Sequence, residues 1–112
     1  MDFNPIKNAL LTVTTNVGHY EALKKTDRYI VWAEDGQFDA LWSDDRMGVQ
    51  IVEGTVDYFT RMEDDPNVDA IQAALNSVCM WRLSSVQYED DTRYIHWEWV
   101  WRLEHGMESG DQ

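Results

Sequence analysis

From Ile95 to Leu103 apolar and polar positions alternate. Ile95, Trp97, Trp99, Trp101 and Leu103 share one parity, and His96, Glu98, Val100 and Arg102 share the other. A period of two places these sets on opposite faces of a β-strand, and no helix brings Trp97, Trp99 and Trp101 to one side. The apolar run "MWRLSSVQY" precedes it and joins it through "EDDT", which predicts a hairpin. The register expected pairs Glu89 with Arg93, Leu83 with Trp99 and Trp81 with Trp101, so that opposite charges meet at the turn and large apolar residues at the base. In that register Ile95 and Trp97 lie opposite Gln87 and Ser85, while Val86 and Tyr88 share the other face with Tyr94 and His96. Both faces of the tip are then partly apolar.

Two stretches change to helical spacing. In "FNPIKNALLTVTTNVG" the stripe is Ile6, Ala9, Leu10, Val13 and Val17, with Asn4 as N-cap, Pro5 at the first helical position and Gly18 as the stop. In "EDDPNVDAIQAALNSV" Asp65 caps, Pro66 opens, Asp69 suits the positive end, and Val68, Ile71, Ala74, Leu75 and Val78 form the stripe. Between them lie three strand-like runs: "RYIVWAED" ending in a turn at Glu34–Asp35–Gly36, "ALW" before an acidic break at Asp44–Asp45, and Val49 to Arg61. In the last run the apolar parity switches near Glu53–Gly54, which predicts a bulge or bend there.

The predicted order is therefore α-β-β-β-α-β-β. It describes an α+β two-layer sandwich, one antiparallel or mixed sheet with two helices on one face. Residues 1–105 form a single domain and 106–112 a polar, frayed tail. Burying one Trp removes about 150–250 Å² from water, an upper bound on the order of 4–6 kcal/mol. The tryptophan row is thus expected beneath the helices. The sheet's other face would stay uncovered, and Val86, Tyr88, Tyr94 and His96 are the candidate contacts with a second copy.

Charge narrows the function. Nine basic and twenty-one acidic residues give a formal charge of −12, which opposes phosphate contacts and anionic membrane surfaces. The chain of 112 residues holds one cysteine, Cys79, so no intrachain disulfide forms, and its apolar setting predicts a buried thiol. The N-terminal stretch lacks the pattern of a signal peptide and no run is long and apolar enough to cross a bilayer, so a cytosolic protein is expected. His19, His96 and His105 lie far apart without ligand spacing, and neither a phosphate-binding glycine loop nor a nucleophile elbow is present. The acidic runs fall at predicted turns and lack the calcium-loop pattern. No metal, cofactor or catalytic residue is expected, and the chain does not read as an enzyme.

Three segments, "YIVWAEDGQFDALWSDD", "VEGTVDYFTRMEDDPNVDAIQAALN" and "WRLSSVQYEDDTRYIHWEWVWRLE", together resemble the small tail-completion or tail-terminator proteins of long-tailed bacteriophages and prophages. The resemblance spans residues 29–104 and is strongest in the ordered set "GT-D-FT…DDP…I-AL…QYEDDT-YIHWEW". It implies a virion protein, assembled in the host cytoplasm, that forms a ring, typically a hexamer, at the head-proximal end of the tail. Its implied partners are itself, the tail-tube protein and the head connector, with DNA passing through unbound and no membrane involved. Such a channel favours carboxylates, and Glu34, Asp35, Asp44 and Asp45 are the candidates to face it. Two alternatives stay open: another neck adaptor of the head–tail junction, and an acidic DNA mimic that inhibits a basic host protein.

Overall fold

The computed structural model describes residues 1–107. The elements are α1 (Asn4–Leu11), β1 (Val17–His19), β2 (Arg28–Ser43), β3 (Arg46–Thr60), α2 (Pro66–Asn76), β4 (Met80–Tyr88) and β5 (Ile95–Gly106). They build one mixed five-stranded sheet in the order β1-β2-β3-β5-β4, in which β1 runs parallel to β2 and the other pairs are antiparallel. Both helices pack on one face, giving the α+β architecture and element order the hydrophobic pattern predicts. Strand β5 reaches Gly106, inside the stretch expected as a tail, and positions 108–112 of that tail lie outside the described residues.

The correct element order conceals two local differences. Helix α1 ends at Leu11, and Val17, expected on its stripe, instead lies on β1 opposite Ile30. The β-branched run after Leu11 weakens helix propagation, and the Thr12 hydroxyl turns back to the Ala9 carbonyl at 2.5 Å. Gly18 is no helix stop: a Cβ there would collide with the Glu21 carbonyl, because the 20–27 loop folds tightly over β1. The helix N-terminus also differs, with Phe3 at the cap position and the Asp2 carboxylate accepting from the Asn4 N–H at 2.9 Å. Further on, the two short strands predicted either side of Glu34–Asp35–Gly36 are one strand, β2. Asp35 is an extra residue in its ladder, since Glu34 pairs with Gly54 and Gly36 with Glu53. The irregularity expected on β3 at Glu53–Gly54 thus sits on the strand facing it. Gly54 itself is required by close packing, as a Cβ would strike the Trp101 ring and the Ala33 carbonyl.

Under the helices, Ile6, Leu10, Val68, Ile71 and Leu75 meet Ile30, Trp32, Val56, Tyr58, Trp99 and Trp101. Trp99 and Trp101 are fully buried, and Trp97 is half-buried with its ring stacked 6.1 Å from that of Trp99. Each buried indole N–H finds an acceptor, Trp99 at Gln72 Oε1 (3.1 Å) and Trp101 at the Thr55 carbonyl (3.1 Å). At the edge of this core the buried Asp65 carboxylate ties three elements together. It accepts five hydrogen bonds, from Arg28 Nε and Nη2 on β2, Tyr58 Oη and Thr60 Oγ1 on β3, and the Asn67 N–H of α2. Burial pushes its pKa up, but the bonds from Tyr58, Thr60, Asn67 and Arg28 outweigh it and hold the carboxyl below its ordinary range. Burial and the bond to Asp65 push the Tyr58 hydroxyl up to about 12, so it remains a donor.

Two stability outcomes are expected. Trp99→Ala empties the centre of the core and costs about 3–5 kcal/mol in chemical denaturation. Asp65→Asn costs about 2–3 kcal/mol at neutral pH. Because the folded pKa is depressed, Asp65's contribution is present above the unfolded value of about 3.9 and lost as pH falls through the folded one. The wild-type denaturation midpoint should therefore fall more steeply below about pH 4 than that of the variant.

Candidate functional site

The residues expected to meet a second copy separate into two groups. At the base of the β4–β5 hairpin the predicted register holds, with Trp81 opposite Trp101 and Leu83 opposite Trp99. Ser84 is then an extra residue, and from Ser85 onward the pairing moves by one: Val86 faces Trp97, Gln87 faces His96 and Tyr88 faces Ile95. A slip of one residue exchanges faces. Val86 and Tyr88 consequently lie on the helix-bearing face, beyond the reach of the helices, with 46% and 61% of their surface exposed. Tyr94 and His96 lie on the open face.

There they are committed within the chain. Tyr29, Phe59 and His96 stand side by side on neighbouring strands, with Tyr29 stacked on Phe59 at 4.7 Å and Phe59 on His96 at 4.2 Å. Tyr94 meets Tyr29 and Phe59 edge-on, Arg61 lies 4.1 Å over its ring, and its hydroxyl donates to the Thr26 carbonyl at 2.5 Å. Asn16 holds the covering 20–27 loop through bonds from Nδ2 to the Lys24 and Arg28 carbonyls and to Thr26 Oγ1. Tyr94 is buried as a result. The expectation that Tyr94 and His96 form a free contact patch with Val86 and Tyr88 is corrected on this point.

The four acidic candidates are likewise scattered. Glu34 Oε1 lies 2.7 Å from His19 Nε2, its other oxygen accepts from the Tyr20 hydroxyl, and the His19 ring is stacked between Tyr20 and Trp32. Burial raises the Glu34 pKa, yet the bonds from Tyr20 and His19 prevail and lower it. Asp35, exposed on the β2 bulge, titrates above its ordinary range through the desolvation its surroundings impose and its neighbours Glu53, Asp57 and Glu34. Asp44 and Asp45 form the turn between β2 and β3, both with positive φ (52° and 63°), about 30 Å along the strand from Asp35.

His96 Nε2 lies 2.7 Å from Asp57 Oδ1, and Nδ1 faces Glu89 at 3.9 Å. Both ring nitrogens thus look at carboxylates, an arrangement that stabilises an imidazolium rather than one in which histidine activates a nucleophile. The bond to Asp57 raises the His96 pKa, burial opposes it, and Glu89 and Glu98 add to the rise. Cys79 is half-buried with Sγ directed to the Leu75 carbonyl at 3.3 Å, and burial pushes its thiol up to about 11. Among the described residues no group of three His, Cys, Asp or Glu side chains converges as a metal site, and no helix is long and apolar enough to cross a membrane.

What the sequence pattern did not reveal is an arm. Past Trp32, where β1 ends, β2 and β3 continue as a hairpin backed only by β5 on one side. It carries exposed Phe38, Leu41 and Trp42, at 49%, 58% and 63%. Arg102 lies 3.4 Å over the Phe38 ring and bonds Glu53 at 2.9 Å, bracing the arm's root. The signal was present in the two strand-like runs flanking Asp44–Asp45, once "AED" is seen as a bulge rather than a turn. No family model matches the chain, and no curated protein matches it.

The His96 pair carries a pH dependence of defined sign. A raised folded pKa gives a contribution that is complete below the unfolded value of about 6.5 and is lost as pH rises through the folded one. The wild-type melting temperature should fall across that alkaline window, and the fall should be shallower in His96→Gln. A histidine-resolved NMR titration should place His96 above the ordinary imidazole range.

Proposed function

We propose that this chain is a structural subunit of a long-tailed phage or prophage, a ring-forming terminator that caps the head-proximal end of the tail tube. The observation that carries the reading is the elongated shape, 53 Å long, in which the β2–β3 hairpin runs past the core and apolar side chains are exposed both on its tip (Leu41, Trp42) and near the opposite end (Val86, Tyr88). A subunit with apolar patches toward both ends suits assembly through two different patches, the condition for a closed ring. The resemblance of residues 29–104 to tail terminators supports the same role. The partners are other copies of the chain, the tail-tube protein and the head connector.

DNA would traverse the ring against a surface of net charge −12. Of the four carboxylates expected at the channel, Asp35 best suits it, being exposed, without an ion pair among the described residues, and close to Glu53 and Asp57. Glu34 is engaged by His19 and Tyr20 and contributes less.

The test is to polymerise the tail-tube protein of the same genome with and without this chain and to image the tubes. The expected result is density at one end of each tube and an arrest of growth. Binding to filled heads but not to tubes would instead make it a neck adaptor. Tight, salt-labile capture of a basic host protein with no effect on either particle would make it a DNA mimic.

A further inference from the structure

The hairpin tip and the opposite end of the sheet carry surfaces that match. At one end is the β2–β3 tip, where exposed Leu41 and Trp42 lead into Asp44, Asp45 and Arg46. At the other, beyond α2, lies an open groove of about 820 Å³ lined by Arg61, Glu63, Val86, Tyr88, Arg93 and Ile95. We propose that the tip of one copy seats in the groove of a second copy, a head-to-tail contact between identical chains. The inference rests on the ring-subunit reading above and names the contact by which that ring closes.

Three observations select this occupant. The charges are reciprocal: the tip offers two carboxylates and one guanidinium, and the groove two guanidinia and one carboxylate. Arg93 makes no ion pair among the described residues, whereas Arg61 already holds Asp27 at 2.8 Å, so Arg93 is the free cation. The apolar parts also match. Val86, Tyr88 and Ile95 give the groove an apolar floor that asks for an apolar knob, and Trp42 is the largest exposed side chain on the tip. Finally, the two patches lie at opposite ends of the long axis, since Arg28, Thr60 and Ile95 pair at the groove end and Ser43 and Arg46 at the tip end. One chain cannot fill its own groove. Glu63 in the lining and Asp90 and Asp91 in the adjoining turn oppose a phosphate and the tip carboxylates alike, so it is the fit of Trp42 to the apolar floor that favours the tip over a phosphate ligand.

The backbone permits variants that spare the fold. Asp44 and Asp45 both have positive φ, so Asp44→Asn with Asp45→Gly removes two charges and installs a preferred two-residue hairpin turn. Arg93 also has positive φ (63°), so Arg93→Gly removes the cation while easing the backbone. In a tip variant (Trp42→Ser, Asp44→Asn, Asp45→Gly) and a groove variant (Tyr88→Ser, Arg93→Gly) these gains offset the strand preference lost with Trp42 and Tyr88, so both should fold and melt close to the wild-type temperature.

A contact made by one hairpin tip is expected at the weak end of stable interfaces, so assembly is read by sedimentation velocity and native mass spectrometry up to about 1 mM. Wild type should assemble with concentration. Each variant alone should need at least ~30-fold more protein. An equimolar mixture of the two should stop at a one-to-one dimer, because only one intact tip and one intact groove remain per pair. Wild type that stays monomeric, variants that assemble as wild type does, or a mixture that forms no dimer would each overturn the proposal. Rings that cap tubes but ignore these substitutions would sink the contact and leave the terminator reading standing. Variants that behave as expected in a protein that caps no tube would do the reverse.

Discussion

The organisation of this molecule follows from a mismatch of lengths. Helices of eight and eleven residues span about 12 and 16 Å. The strands they cover, β2 and β3, run sixteen and fifteen residues, about 50 Å. Two helices side by side can therefore roof only part of the sheet, and the core lies where they do, toward the end where Arg28, Thr60 and Ile95 pair. It runs from Gly54 to Tyr58 on β3 and from Trp97 to Trp101 on β5. Gly54 lets Trp101 lie flat against the ladder, and Asp65 anchors the start of α2 to the strands at one margin of the roof. Everything outside this span stabilises the fold little and is available for other surfaces.

Alternation and helical stripes are signals of burial, so they were readable wherever the core is. Trp99, Trp101, Val56, Tyr58 and both helical stripes stood out for that reason, and with them the architecture and element order. The features that escaped are those burial does not encode. Ser84 and Asp35 are single extra residues in their ladders, and the composition around them resembles a turn as much as a bulge. Each moves side chains between faces, which is why periodicity alone puts Val86 and Tyr88 on the open face and divides β2 in two. Val17 continued the α1 stripe by spacing alone, while the β-branched run before it ended the helix. Asp65 was visible as a cap, but its bonds to Arg28, Tyr58 and Thr60 connect residues between five and thirty-seven positions away, and no local pattern records them.

The open face shows how a sheet with helices on only one side avoids a large bare patch. An aromatic row at one end is consumed by its own contacts and by the 20–27 loop, and beyond it polar pairs, Asp57 with His96, Glu53 with Arg102 and Glu98 with Ser85, break up the apolar positions Val31, Ile51 and Val100. Positive groups on this face are few and mostly already paired, so the excess of acidic residues stays at the surface. That excess keeps copies apart at long range. Association would then depend on apolar side chains left exposed, and Val86 and Tyr88 beside the guanidinium of Arg93 form such a place.

This distribution also narrows the symmetry of any self-contact. Tip and groove can meet once, head to tail, or twice across a two-fold axis between antiparallel copies, whereas an axis through a single patch would set Asp44 and Asp45 of one tip against the same pair of the other, or Arg93 against Arg93. Both like-on-like arrangements add like-charge repulsion to a chain that already carries −12. A head-to-tail contact pairs unlike ends and escapes this cost. Such contacts either close into a ring or continue into a filament, and the choice rests on the angle between successive copies. Here that angle is set by the twist of β2 and β3 between core and tip, where the three register shifts of the β2–β3 ladder lie. Bulges increase local twist and bend a strand. The same irregularities that obscured β2 in the sequence therefore orient its tip, and in the proposed contact they would decide whether successive copies turn back to the starting point.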